Sequence, residues 1–240
     1  MIKPEQRQYN ASSDAFQNDP QKQPQNAAAT VVLLVAAGLF GFIARKVERG
    51  ETERLDRETH EAVKSHQFTA LDVAAKPVTL TSIPILVVSA TAALVWRLHQ
   101  EGRNNASVAI AFAPVAAAAV GQSFTMFFKQ RNPPDVVAPP GAEATEASFP
   151  SGHTTGITAE ALSIAYVLQR EGLASPPVLA GLLGWPLLVG VTRIYRDRHW
   201  ISDVLAGWVA GTAVAAVSAI LYGSLTGRSA LPDSQPNLVS

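Results

Sequence analysis

The chain has 240 residues, no Cys and 19 basic side chains against 19 acidic ones. The neutral balance excludes a strongly basic nucleic-acid binder and a polyacidic tail. The missing Cys excludes a disulfide framework, a thiol nucleophile and a Cys-ligated metal or iron–sulfur site.

Charge is scarce, at 16 % of residues against the roughly 25 % usual for soluble domains. It is also unevenly spread, with 20 charges in residues 1–76 and 18 in the remaining 164. Residues 1–26 are rich in Gln, Asn and Ser and read as a disordered polar tail. A cleaved signal peptide fits poorly, because the first apolar run begins late and is too long for an h-region. Residues 23–44, 77–96, 104–128, 172–192 and 204–227 then contain no Asp, Glu, Lys or Arg. Each is about as long as the roughly 20 helical residues needed to cross a hydrocarbon core of roughly 30 Å. A sixth stretch, 152–169, is interrupted only by His153 and Glu160. The expected fold is therefore all-α, a bundle of six transmembrane helices over residues 27–226, followed by a C-terminal tail at 227–240. A large buried bundle in a soluble protein is the competing arrangement, and it would need more charge to cover its surface.

Between the first two runs, residues 45–76 carry seven basic and seven acidic side chains, with Leu55, Thr59 and Val63 on one i, i+4 row. That pattern predicts a solvated or interfacial helix with a structural role. The connection 129–150 holds Pro133, Pro134, Pro139 and Pro140 and is not helical throughout. Six alternating spans put loops 45–76, 129–150 and 193–203 on one face and both termini on the other. The two loops richest in unusual polar chemistry thus share a face, which is where an active site is expected.

Five His are present. His60, His66 and His99 lie in polar segments and read as solvated. His153 and His199 each begin an apolar span. Ser151 is a natural N-cap for the helix after it, Gly152 removes a side chain where backbone approaches something, and a helix N-terminus attracts anions. Four residues beyond His199, Asp203 lies on the same helical face and is predicted to accept a hydrogen bond from one imidazole nitrogen. That bond sets the tautomer and leaves the other nitrogen as nucleophile or base. The bland alternative is a surface salt bridge. A His–Asp metal pair is a further one, but two ligands make an incomplete site. Lys129, Arg131 and Arg193 stand on the same face, and fixed cations beside a helix N-terminus suit a phosphate. Glu160, two turns after His153, reads as a bundle-facing structural carboxylate, with a supporting role behind the site as the functional alternative.

These residues resemble a known family. Pro150-Ser151-Gly152-His153 and Thr192-Arg193-x5-His199-x3-Asp203 are similar to two of the three signature motifs of the type 2 phosphatidic acid phosphatases. The wider superfamily also includes soluble bacterial acid phosphatases and vanadium haloperoxidases. The remaining motif departs from the family pattern, with Met126 where a lysine is usual and Pro133 where the last arginine is usual. Lys129 and Arg131 are expected to supply those cations from shifted positions.

The resemblance implies a metal-independent lipid phosphate phosphatase without a cofactor, working through a phosphohistidine. His199 would attack phosphorus, oriented by Asp203, and His153 would protonate the leaving group and then activate water. Ser151, Gly152, Arg193, Lys129 and Arg131 would hold the phosphate oxygens. Phosphatidic acid, phosphatidylglycerol phosphate and isoprenoid diphosphates are the expected substrate classes, in a cell membrane, with cytoplasmic termini and an outward-facing site. Two alternatives accompany this expectation: a vanadate-dependent haloperoxidase-like enzyme, and a catalytically weak lipid-binding or transport relative, suggested by the irregular motif.

Overall fold

The computed structural model describes residues 23–66, 69–81, 83–128, 132, 134 and 147–229. The expected tail at 1–22 and the residues after 229 lie outside them. Every regular element among the described residues is an α-helix: α1 Gln23–Glu48, α2 Glu53–Ser65, α3 Thr69–Thr81, α4 Pro84–Gln100, α5 Asn104–Phe127, α6 Gly152–Arg170, α7 Pro176–Tyr195 and α8 Ile201–Ser229. Stretches within α1, α5, α7 and α8 are long and apolar enough to cross a membrane. At about 1.5 Å per residue, the 26 residues of α1 extend roughly 39 Å.

The outward faces of these helices are as apolar as a protein interior. Leu34, Phe42, Val115 and Leu187 are each more than half exposed. Water would penalise such surfaces, whereas hydrocarbon accepts them without cost. The chain is an integral membrane protein.

The expected count of six spans is not exact. Run 77–96 is not one helix: α3 ends at Thr81, and Pro84 stands in the first turn of α4, where a proline is tolerated because its missing N–H would have had no helical partner. The apolar helix that follows, α4, has only 17 residues. Helix α6 has 19 residues, but ten of them are buried, among them Thr154, Thr155, Thr158, Glu160 and Ser163. A helix enclosed by its neighbours needs no lipid-facing apolar surface, which is why α6 is more polar than the other spans.

At the centre, α6 and α8 pack against each other, with α1, α5 and α7 around them and α4 against α5. Small residues set the approach. Gly207 and Gly211, four apart on α8, face Thr154 and Thr158 of α6. A Cβ on Gly211 would lie 2.5 Å from Thr158 Cβ and 2.6 Å from the Thr155 carbonyl oxygen, and one on Gly207 would lie 2.9 Å from Thr154 Cβ. No larger residue fits there, so the glycine pair lets two backbones come close, a common device in membrane bundles. Interhelical hydrogen bonds add to it: Ser218 Oγ donates to the Ala109 carbonyl at 2.7 Å and Ser107 Oγ to that of Val95 at 3.1 Å. Between α7 and α8, Gly190 of α7 makes room for the ring of Trp208, whose Nε1 donates to the Pro186 carbonyl at 2.9 Å.

The two ends of the bundle are fastened differently. At one end, Arg103 bonds to the Glu171 carboxylate, and Tyr222 Oη donates to the same group at 2.7 Å. At the other, α2 packs against α7 and α8 and meets the turn that joins them. The expectation of a solvated helix here is only half met. Arg54 and Arg57 are exposed and pair along the helix with Glu58 and Glu53, but Asp56 is 3 % exposed. His60, read as solvated, instead lies with Nδ1 3.2 Å from Asp197 Oδ1, an ion-pair approach without hydrogen-bond alignment, and packs edge-on against Trp200 at 5.7 Å. His66 and His99 are exposed and bonded locally, as expected.

Candidate active site

The peptide before α6 is anchored by aromatic packing. Phe149 is fully buried between Phe128, at 4.6 Å between ring centroids, and Phe40, at 5.9 Å. This fixes Ser148 and Ser151 on either side of it. Ser151 is the N-cap of α6: its Oγ accepts from Thr154 N at 3.4 Å, a long contact, and meets Thr154 Oγ1 at 2.9 Å. Thr155 Oγ1 donates back to the Ser151 carbonyl at 2.9 Å. Ser151 and Thr154 are 0 % exposed, so the helix start is held rigidly by its own side chains.

The two motifs are joined backbone to backbone, since Ser151 N donates to the Asp203 carbonyl at 3.1 Å. This bond, together with the Gly207 and Gly211 approach, brings the start of α6 against the start of α8. His153, Gly152, Arg193 and His199 then line one cavity of about 690 Å³. Ser148, Arg198, Val87, Ala117 and Ile157 complete much of the wall.

His199 is positioned otherwise than its i, i+4 spacing predicts. Its Nδ1 lies 3.0 Å from the Ser148 carbonyl oxygen and 3.7 Å from Asp203 Oδ2. A carbonyl can only accept, so Nδ1 carries the proton and Nε2 is the basic nitrogen. Asp203 is 0 % exposed, and its Oδ2 accepts from Trp200 N at 2.9 Å, which draws the carboxylate toward the helix start. The tautomer expected from Asp203 is therefore set by Ser148, with Asp203 as a charge at ion-pair distance. Ser148 could not be read from sequence, because every residue has a carbonyl and only the fold aims one.

Arg193, 7 % exposed, stands in the last turn of α7, where a cation is favoured by the helix dipole. Its carbonyl accepts from Arg198 N at 3.0 Å. Arg198, absent from the expected phosphate ligands, also reaches the cavity. The turn between them is tight: Asp197 has φ 56° in the left-handed region, a conformation Asp tolerates better than most residues. Trp200 Nε1 donates to the Asn132 carbonyl at 2.8 Å, tying this turn to the connection after α5. Lys129 and Arg131, the expected cations of that connection, lie outside the described residues. Glu160 is 5 % exposed, borders the cavity below His153, and its Oε1 has no hydrogen-bond partner among the described residues. Among those residues no group of three or more His, Asp or Glu is arranged to hold a metal ion.

Two arginines, the N-terminus of α6 and two histidines border one cavity at one end of a helical membrane bundle. The chain belongs to the PAP2 superfamily, whose sequence profile matches residues 86–226. A stretch of 66 residues is 42 % identical to the undecaprenyl-diphosphatase BcrC of Bacillus subtilis (strain 168), covering 28 % of this chain and 31 % of that protein. This chain thus matches about a third of that relative's length. Its fold is similar to the crystal structure of a transmembrane PAP2-type phosphatidylglycerolphosphate phosphatase from Bacillus subtilis, with a TM-score of 0.65 and 16 % identity over 82 % of this chain and 95 % of the other. The crystal structure of Aquifex aeolicus LpxE is also similar, with a TM-score of 0.53 and 22 % identity over 68 % and 94 % of the two chains.

Proposed function

We propose that this protein is an integral-membrane lipid phosphate phosphatase whose catalytic unit spans residues 27–226. The observation that carries this reading is the hydrogen bond from Ser151 N to the Asp203 carbonyl, which joins the two motifs around one cavity. In the first step Nε2 of His199 attacks phosphorus, and the bond to the leaving oxygen breaks as His153 gives that oxygen a proton. In the second, His153 takes a proton from water, the hydroxide attacks phosphorus, the P–N bond breaks and inorganic phosphate leaves. Arg193, the Gly152 N–H, and Lys129 and Arg131 hold the phosphate oxygens, whose charge they stabilise most in the transition state, while Ser151 caps the helix that presents Gly152.

The cavity volume lies within the roughly 300–1,000 Å³ of small-ligand sites, and many of its walls are apolar. A phosphate held at the bundle end with lipid tails in the bilayer fits this arrangement. The sequence similarity to an undecaprenyl-diphosphatase makes an isoprenoid diphosphate the first substrate to test, followed by phosphatidylglycerol phosphate and phosphatidic acid. On this reading the termini lie in the cytoplasm and the site on the outer face of a cell membrane, an orientation taken by analogy with the family.

The test is phosphate release by the detergent-purified protein from each lipid phosphate, with EDTA present. Turnover that disappears in His199→Ala, with labelled phosphate trapped on His199 of the wild type, is the expected result. Equal rates for wild type and His199→Ala on every lipid would reject the reading in favour of a lipid-binding relative.

A further inference from the structure

The start of α8 carries both Asp203 and, one residue before the helix, Trp200, yet Trp200 has no side chain able to accept the N–H groups that open a helix. Half of the task is done within the helix. Asp203, at the third helical position, accepts from the Trp200 N–H at 2.9 Å, the backward half of a capping box. The forward half comes from a residue 146 positions away. Asp56 of α2 accepts from Ser202 N through Oδ1 at 3.0 Å and from Ser202 Oγ through Oδ2 at 2.9 Å. Both Asp56 and Ser202 are buried, at 3 % and 2 % exposure.

We propose that Asp56 is a positioning residue for the reaction, supplying from outside the helix the cap that keeps Asp203 and His199 in register. The inference rests on the reading of His199 as the nucleophile. Without Asp56, the Ser202 N–H is buried and lacks this acceptor, and the carboxylate of Asp203, the next residue along the chain, becomes a competitor for the place. Were Asp203 to turn toward Ser202, it would release Trp200 N and change its 3.7 Å separation from His199 Nδ1. His199 would lose the fixed charge behind its imidazole, and the Trp200 backbone that leads into it would shift. The rest of α2 supports the same turn: His60 approaches Asp197 and packs on Trp200, and Lys64 Nζ lies 3.9 Å from Asp197 Oδ2. The charged helix between the first two spans thus acts as a brace for the turn bearing the nucleophile.

The test uses the full chain in detergent, with lipid-phosphate kinetics, thermal unfolding and the ¹⁵N spectrum of labelled histidines, in which His199 is identified by its absence from His199→Ala. The wild type is expected to show His199 protonated on Nδ1. In Asp56→Ala, the Nδ1–H form should give way to a mixture, and kcat should fall about 10- to 100-fold, as a misplacement near 1 Å costs, with KM changed far less. Asp56→Asn retains an acceptor for Ser202 N and should recover most of the loss. Asp56→Glu keeps the charge but misplaces it, and should lower kcat even if Asp56→Ala is not recovered folded. Folded Asp56→Ala and Asp56→Glu proteins with wild-type kcat and His199 spectrum, differing only in unfolding temperature, would overturn the proposal. A wild type inactive on every lipid, with a His199 spectrum that still follows Asp56, would reject the phosphatase reading and uphold the positioning role.

Discussion

The two ends of the bundle handle buried charge in opposite ways. At the end holding the turns 101–103 and 171–175, Arg103 and Tyr222 both bond to the Glu171 carboxylate and form a side-chain cluster between α5, α6 and α8. At the other end, Asp56 and Asp203 accept from backbone N–H groups of one helix start, while Arg193, Arg198, His153 and His199 line a cavity. The first arrangement neutralises charge and fastens helices. The second holds carboxylates against backbone N–H groups and sets cations and imidazoles along a cavity wall. A set of charges becomes a site when the fold fixes their partners in advance, and a strut when the charges simply find each other.

That contrast can be broken at several points. The largest effect is expected from His199→Ala, which should lower phosphate release by roughly 10⁴-fold or more, as loss of a catalytic nucleophile does, while leaving the unfolding temperature nearly unchanged. Arg193→Ala should cost about 10²- to 10³-fold in kcat, the scale of losing one donor to a developing charge. Arg193→Lys should recover only part of it, because a point charge lacks the planar fork. Steady-state kinetics on the same lipid would check both.

Gly211→Val tests the packing that joins the motifs. Overfilling a close contact typically costs about 1–3 kcal/mol, so the variant should unfold at lower temperature and lose activity together, unlike the His199 variant. The smallest effect is expected at the opposite end. Tyr222→Phe removes one hydrogen bond to a carboxylate that keeps its Arg103 partner, at a cost of about 1 kcal/mol. A thermal scan should detect that cost, and kcat should match the wild type. A Tyr222→Phe protein with impaired kcat would blur the division between the ends.

Much of this was legible from the chain. The uncharged runs marked the apolar helices because lipid tolerates no unpaired charge, and the Ser-Gly-His and Arg-x5-His-x3-Asp spacings marked His153, Arg193 and His199, which the fold brings to one cavity. The division of run 77–96 between α3 and α4 was less so, since an uncharged run does not say whether one helix or two occupy it. His60 and Asp56 were harder still. In sequence they belong to a balanced, solvated-looking helix, and only docking against α7 and α8 makes His60 a half-buried neighbour of Asp197 and Asp56 a buried partner of Ser202.

Composition and local spacing therefore determined the solvent, the helical class and the residues able to react, because these depend on side-chain chemistry and on periods of a few residues. The tertiary structure decided which partner each reactive group holds. His199 takes the Ser148 carbonyl rather than Asp203, Asp203 turns to Trp200 N, and α8 receives its cap from Asp56. These choices are made by backbone groups that every residue carries and by contacts across 51 to 146 positions of chain. The close approach at Gly207 and Gly211 decides which of them meet.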